Sequence, residues 1–494
     1  MIMQYPHTEP DRSGRLSVAS ISRFLITLVL ILITSYTHTV LASPDADKWV
    51  HPTRSILQAS PEKLPFYPSR ASTGDSTLTE SMFDVSETCQ GCHQEIYHQW
   101  KDSVMAQAWR DPIYKALLKR ASAATDGKLD NFCVGCHSPI GMTTGQTTPG
   151  QPLEAVDVPG VNCETCHNIS DISGRDNGAY VLTPDQNTPS KKYGPRQDAE
   201  SPYHASSYSS LHTRSEFCSA CHNVTHPFNG TPIERTYDEW SESAYNEEGI
   251  QCQDCHMTPG PGVQQNPGKS ALMGKERGKV FSHYFTGGNV TLHNYFNQPE
   301  MAERARAMLR SAAKMDFIEA PKSITGGQMA TITLKVRNTG AGHKLPTGFP
   351  EGREVWVDFQ VSDSQGNTIF RSGAVKDGHT EPGTQNFKVT LGDKNGNVVD
   401  LNVWEVDRVL SDNRILPKGY ALVKYRFMVP TDVQGPLSLN ANLNYWPFSQ
   451  KLVDELLGEG KMKVEIVTMT TAQHSLKLQS RSAFTLHPQK TSTE

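Results

Sequence analysis

The chain has 494 residues, 36% of them hydrophobic, and a formal net charge of −5 at neutral pH. That length is enough for two or more domains. The near-balanced charge, without a basic patch, excludes the electrostatic footprint of a nucleic-acid-binding protein.

Residues 1–42 read as a signal peptide. Arg12, Arg15 and Arg23 precede an apolar run at 24–33, and Val40-Leu41-Ala42 forms a small-residue cleavage site. The apolar run is too short to cross a bilayer and is broken by Ser35-Tyr36-Thr37-His38. No membrane span is therefore expected after cleavage, a retained anchor being the alternative. No cysteine follows the cleavage site, which excludes a lipoprotein anchor. Residues 43–80, rich in Pro, Ser and Thr, read as a linker.

Next, one five-residue word occurs five times: Cys89-Gln90-Gly91-Cys92-His93, Cys133-Val134-Gly135-Cys136-His137, Cys163-Glu164-Thr165-Cys166-His167, Cys218-Ser219-Ala220-Cys221-His222 and Cys252-Gln253-Asp254-Cys255-His256. C-x-x-C-H is the attachment signature of c-type haem. Two thiols about one helical turn apart add to the porphyrin's two vinyl groups, and the histidine that follows reaches the iron as proximal ligand. Structural zinc and disulfides also use paired cysteines, but neither requires a histidine after every second one. No cysteine is left over from the ten in the chain. Five covalent haems are expected, with His93, His137, His167, His222 and His256 as proximal ligands. The porphyrins would fill much of this segment's core, in keeping with the low hydrophobic share, and the apoprotein is expected to be unfolded.

Around the words, residues 81–297 predict short helices and loops. One helix is expected over 94–109 and another opens at Asp111-Pro112, an N-cap and first-turn pair. Candidates for the distal position of each iron are Met105, His204, His212, His226, His283 and His343. His283 lies in Ser282-His283-Tyr284-Phe285-Thr286-Gly287-Gly288, just after the fifth word. Of His204 and His212, one is expected to ligate and the other to lie on the surface. His226 is too close in sequence to His222 to reach the far side of that iron, but could serve a neighbouring one. Met105 either fills a gap in the core or supplies a thioether, which would raise that haem's potential. His98 and His293 read as surface or hydrogen-bonding residues, and Met142 and Met257 as packing.

Cys89 through Trp100 with Ser103 and Ala106, then Gly160-Val161-Asn162 leading into Cys163, Tyr237-Asp238-Glu239-Trp240 and His283 through Gly288 resemble the multihaem cytochromes of the cytochrome c-554 and hydroxylamine-oxidoreductase-like group. The resemblance covers about 81–290. It implies closely packed haems, some in parallel-stacked pairs, mostly bis-histidine, carrying electrons in the periplasm. The chain departs from the pattern in two ways. Met105 stands where the group has the histidine of a Ser-x-His-Ala pattern, and there are fewer haems than in the oxidoreductases, with no tyrosine assignable to their cross-linked haem. The related pentahaem nitrite reductases attach their active haem at a lysine-type site, whereas all five words here end in histidine.

From residue 298 the composition changes. A connecting helix is expected over 298–314, with a broad small-residue face. Alternating runs at 331–336, 354–361, 421–429 and 437–443, separated by Gly/Asn turns, predict an antiparallel, Ig-like β-sandwich over 315–480, followed by a flexible tail at 481–494. The loop at 338–353 carries one imidazole, His343, expected to reach across as a distal ligand or haem-edge contact, and Arg353, a candidate partner for a propionate.

The fold class is thus α+β and multidomain: a haem-packed cytochrome domain of short helices and loops, followed by an antiparallel β-sandwich. The expected function is electron transfer in the periplasm, with export onward to the cell surface a further option. A quinol-linked donor and a periplasmic or surface acceptor are the expected partners. The competing reading is a multihaem oxidoreductase acting on a small nitrogen or sulfur compound at an iron that lacks a sixth ligand.

Overall fold

The helix leaving the first word ends earlier than its sequence suggests. In the computed structural model, which describes residues 69–74, 76–185, 190–349 and 352–479, α1 (Gln94–Lys101) gives way to turns rather than running on to 109. Ser103 is the cause: it is buried, its hydroxyl accepts the Ala106 N–H at 3.1 Å, and its own N–H bonds the Trp100 carbonyl. Such a side chain offers the backbone an alternative to the helical ladder. The expected signal peptide and tail, and most of the expected linker, lie outside the described residues.

Helix α2 (Pro112–Thr125) starts as its sequence predicts. The Asp111 carboxylate accepts from the Ile113 and Tyr114 N–H groups at 2.9 and 3.3 Å, with Pro112 in the first turn. Helix α3 (Cys163–His167) is the third word itself, opened by a capping box between Asn162 and Thr165. Gly160, just before it, lies so close to the 103–110 turn that a Cβ there would sit 2.6 Å from the Ala106 carbonyl oxygen. Helix α4 (Thr236–Ser241) precedes the fifth word.

Helix α5 (Pro299–Ala312) buries Met301, Ala302, Ala305, Leu309 and Ala312. It has no loop after it. Ala313 is extended, and β1 (Ala313–Glu319) begins there, taking the last two residues of the expected helix.

The β-region is two sheets packed face to face. Besides β1 its main strands are β2 (Ser323–Thr325), β3 (Met329–Asn338), β4 (Glu354–Ser362), β5 (Thr368–Ser372), β6 (Asn386–Phe387), β7 (Val389–Gly392), β8 (Val398–Val399), β9 (Arg408–Asp412), β10 (Tyr420–Met428), β11 (Leu437–Trp446) and β12 (Val467–Gln479), with Val375–Lys376 and His379–Thr380 forming a separate short ribbon. One sheet runs β5-β4-β11-β12-β2, with β6 also on β4; the other runs β10-β3-β1; a small third sheet joins β8, β7 and β9. All pairings in the two large sheets are antiparallel except β12 with β2.

Period-two alternation places Ile332, Leu334 and Val336 of one sheet against Val355, Val357, Phe359 and Val361 of the other, all fully buried. Phe359 stacks on Tyr425 across the interface, ring centres 4.6 Å apart. Beside this core Trp356 and Trp446 meet at 4.6 Å, and their N–H groups bond the Gly373 carbonyl and the Glu354 carboxylate. The same cluster includes Ile113 of α2 and Leu292, so the β-region and the short-helix region share apolar packing. No described helix is long and apolar enough to cross a membrane.

Candidate haem centre

All five words open on one internal cavity of about 1550 Å³, lined by all ten cysteines and all five histidines of the words. A site for one small ligand spans roughly 300–1,000 Å³. The space therefore suits several groups. No disulfide joins any two of the ten cysteines. No cluster of three or more His, Cys, Asp or Glu side chains able to hold a metal ion is found among the described residues.

Four of the five proximal-position imidazoles are held by a hydrogen bond at Nδ1. His93 bonds the Ser270 carbonyl at 2.7 Å, His137 that of Ala108 at 3.1 Å, His167 that of Tyr193 at 2.7 Å and His256 that of Thr286 at 2.6 Å. An Nδ1–H donated to a carbonyl fixes the tautomer and leaves the Nε2 lone pair for a metal. Burial reinforces this by disfavouring the imidazolium: it lowers His167 and His256 and pushes His137 down to about 4. His222 differs. Its Nδ1 lies 3.8 Å from the Glu234 carboxylate. Burial would lower its pKa too, but Glu234 outweighs that and raises it to about 9.

The words adjoin one another. The thiols of Cys89 and Cys163 lie close together, as do those of Cys136 and Cys221 and those of Cys218 and Cys252. The first word is thereby joined to the third, and the fourth to both the second and the fifth.

Two further imidazoles face proximal ones across the cavity. The ring centres of His93 and His204 are 6.4 Å apart and 21° from parallel; those of His256 and His343 are 6.3 Å apart and 14° from parallel. Two imidazoles on opposite sides of one metal, each bonded at about 2 Å, place their centres roughly 6 Å apart. His204 and His343 also bind backbone carbonyls through Nδ1, at 3.2 and 2.9 Å, which leaves Nε2 as the free nitrogen. The residues present thus fit the porphyrin iron that the words imply.

The other expected ligands divide. His283 lines the cavity with Nδ1 on the Phe281 carbonyl; it is half-buried, and desolvation lowers its pKa to about 4. It lies near His167 and His93, and its N–H is held by Gln99 of α1 at 2.8 Å. His212 is no surface residue: its ring lies 5.7 Å from that of His167, but its Nε2 is engaged by the Cys166 carbonyl at 3.1 Å and only Nδ1 is open. His226 must be withdrawn as a ligand. Its Nε2 bonds the Trp404 carbonyl and its Nδ1 receives the Phe228 and Asn229 N–H groups, so neither nitrogen is free for a metal. Met105 lines the cavity. Arg353 is occupied by the Pro447 carbonyl and the Asn289 amide oxygen. His98 is exposed, whereas His293 is buried and bonds Gln298 at 2.9 Å.

Three contributors were not singled out in the sequence. Tyr114 lies flat on His137, ring centres 3.6 Å apart and 2° from parallel, with its buried hydroxyl unpartnered. Glu234 orients His222. Glu239 was quoted within a motif but given no role, although its carboxylate grips the loop that carries His343.

Residues 88–168 match the family model described as "Cytochrome c554 and c-prime". Among solved structures, a penta-heme cytochrome c552 from Thermochromatium tepidum is 21% identical, with a TM-score of 0.56 over 80% of this chain and 99% of that one. The CARDB domain of a Pyrococcus furiosus protein (11% identity, TM-score 0.16, 34% of this chain and 87% of that one) is similar at a much lower level. The same holds for a sporulation control protein from Bacillus subtilis (14%, 0.15, 34% and 49%). A search of curated protein sequences gave no match. With its repeated attachment words, its c554-like segment and the fold it shares with a penta-heme cytochrome, the chain resembles the multihaem c-type cytochromes and carries a β-rich C-terminal region.

Proposed function

We propose that the chain is an exported electron carrier that binds five c-type haems, one at each C-x-x-C-H word, and moves electrons among them. The observation that carries this reading is the pair of facing imidazoles, His93 with His204 and His256 with His343, each offering free nitrogens across a gap one metal wide. His93 with His204 and His256 with His343 would each hold an iron from two sides, and an iron so held would exchange electrons without binding a substrate.

The haem supplies reversible one-electron chemistry; the chain supplies ligands, burial and spacing. The neighbouring cysteines support short steps between the first and third words and among the second, fourth and fifth, and the penta-heme neighbour supports the count. His283 is the next distal ligand we assign, serving the cluster of the first and third words, with Met105 and His212 as the remaining candidates. The pattern of residues 1–42 supports export to the periplasm. There a quinol-linked donor and a periplasmic or surface acceptor are the fitting partners.

A second reading, an oxidoreductase acting on a small nitrogen or sulfur compound, is favoured by one observation. His137 is covered by Tyr114 and His222 is paired with Glu234, and among the described residues neither faces an imidazole at the 6 Å spacing. The deciding measurements are the intact mass and the EPR spectrum of the oxidised holoprotein. Five haem increments and low-spin iron are expected. Fewer increments would overturn the count; high-spin iron that binds nitrite stoichiometrically would overturn the carrier in favour of the enzyme.

A further inference from the structure

His343 reaches the cavity from a loop of the β-region, and a histidine on a free loop would sample many positions. What fixes it is a buried carboxylate on the other side. Glu239 of α4 has a side chain only 4% exposed. Its Oε2 accepts the Thr347 hydroxyl at 2.7 Å and the Lys344 N–H at 3.2 Å, the residue next to His343. Its Oε1 lies 2.7 Å from Nη1 of Arg414, an ion pair whose angle is not that of a directed hydrogen bond.

Arg414 in turn holds Asp412 at 2.8 Å, and Asp412 holds the Lys344 ammonium at 2.7 Å. From the β-region side, the Asn338 amide donates to the His343 carbonyl at 2.9 Å. The loop is thus tied at Lys344 and Thr347 to a group belonging to the segment that leads into the fifth word. Gly342 lies against Trp240 and Tyr245 of the same segment.

We propose that Glu239 is a positioning residue which, through Lys344, Thr347 and Arg414, holds His343 opposite His256 and thereby sets the sixth ligand at the fifth word. Buried ion pairs are weak sources of stability and are often replaceable by apolar residues without loss. What this one provides is a single geometry: its partners all lie on the loop or on the strand end beside it, and a one-ångström slip would break a metal–nitrogen bond.

The proposal rests on the reading of His343 as a ligand, and the experiment separates the two. Carbon monoxide binding to the dithionite-reduced holoprotein is measured for the native chain and for His343→Ala, Glu239→Gln, Arg414→Gln and Arg414→Lys. His343→Ala is expected to add carbon monoxide binding at one haem. Glu239→Gln and Arg414→Gln, with haem content unchanged, should bind carbon monoxide at that same haem at least tenfold faster than the native chain, and Arg414→Lys should restore native behaviour. If His343→Ala adds a site while both Gln variants behave as native, the positioning role is wrong and the ligand stands. If His343→Ala adds none, the ligand reading fails and the positioning role fails with it. The Arg414 variants keep the test decisive should Glu239→Gln not fold.

Discussion

The Nδ1 of His222 lies 3.8 Å from the Glu234 carboxylate, where the four corresponding histidines meet backbone carbonyls. Glu234 is itself held by the Thr236 hydroxyl at 3.2 Å. A carboxylate behind a ligating imidazole makes it a stronger donor and favours the more highly charged oxidised metal. Glu234→Gln keeps the shape and removes the charge. A potentiometric titration of the holoprotein should show one midpoint moving to higher potential with the others unshifted. No movement, or an equal movement of all, would rule out a specific pairing.

The cavity of about 1550 Å³ is larger than a folded chain can keep empty, and its wall consists largely of short helices and irregular loops. Removing the haems should therefore unfold one region and spare the other. In chain produced without haem attachment, hydrogen exchange over 86–297 is expected to lose protection, while β3, β4 and β11 keep theirs through their own core. Equal protection in both regions with and without haem would contradict this.

Much of this arrangement was legible in the sequence because it is local. A C-x-x-C-H word states its own chemistry in five residues, Asp111-Pro112 announces a helix start, and period-two runs such as that of β4 state which side chains face inward. What could not be read depends on residues far apart in the chain. Glu234 and Tyr114 carry no local mark of their roles, and nothing around His283 says which word it serves, since that depends on Gln99, 184 positions away. Strand β12 went unnoticed because only Val467, Met469 and Leu476 of its thirteen residues are buried, too few to stand out as alternation. His226 shows the converse: the residue type was right, but the Trp404 carbonyl had already claimed its nitrogen.

Gly160 offers a purely steric test. A Cβ at this position would lie 2.6 Å from the Ala106 carbonyl oxygen and 2.8 Å from that of Met105, closer than atoms tolerate without backbone movement. The Val161 N–H bonds the Met105 carbonyl at 3.0 Å, and the Trp100 indole donates to the Val161 carbonyl at 2.9 Å, so the strain would fall where the first and third words are joined. Gly160→Ala is expected to lower stability by about 1–3 kcal/mol, the usual range for overpacking. It should also perturb the optical spectrum of the first and third haems. A variant with native melting temperature and spectrum would show that the approach is slack.

Arg306 of α5 forms a two-pronged pair with Glu465, Nε to Oε1 at 2.6 Å and Nη2 to Oε2 at 2.7 Å, and the Asn294 amide adds a bond to the same carboxylate at 2.7 Å. The guanidinium holds Glu465 below the usual carboxylate range, against some opposition from burial, with the Asn294 bond assisting. In the unfolded chain a glutamate titrates near about 4.3. Because the folded value is the lower one, the pair's contribution is fully present above the unfolded value and is lost as pH falls through the folded one. Both side chains are partly exposed, which limits the contribution to about 1 kcal/mol. Glu465→Gln should thus be less stable than the native chain at pH 7 by that amount, and the gap should close as the pH is lowered below about 4. Denaturant titrations at pH 7, 5 and 3.5 measure it. A gap of constant size across that range would mean that the carboxylate's charge plays no part and that Glu465 acts only through its shape and hydrogen bonds.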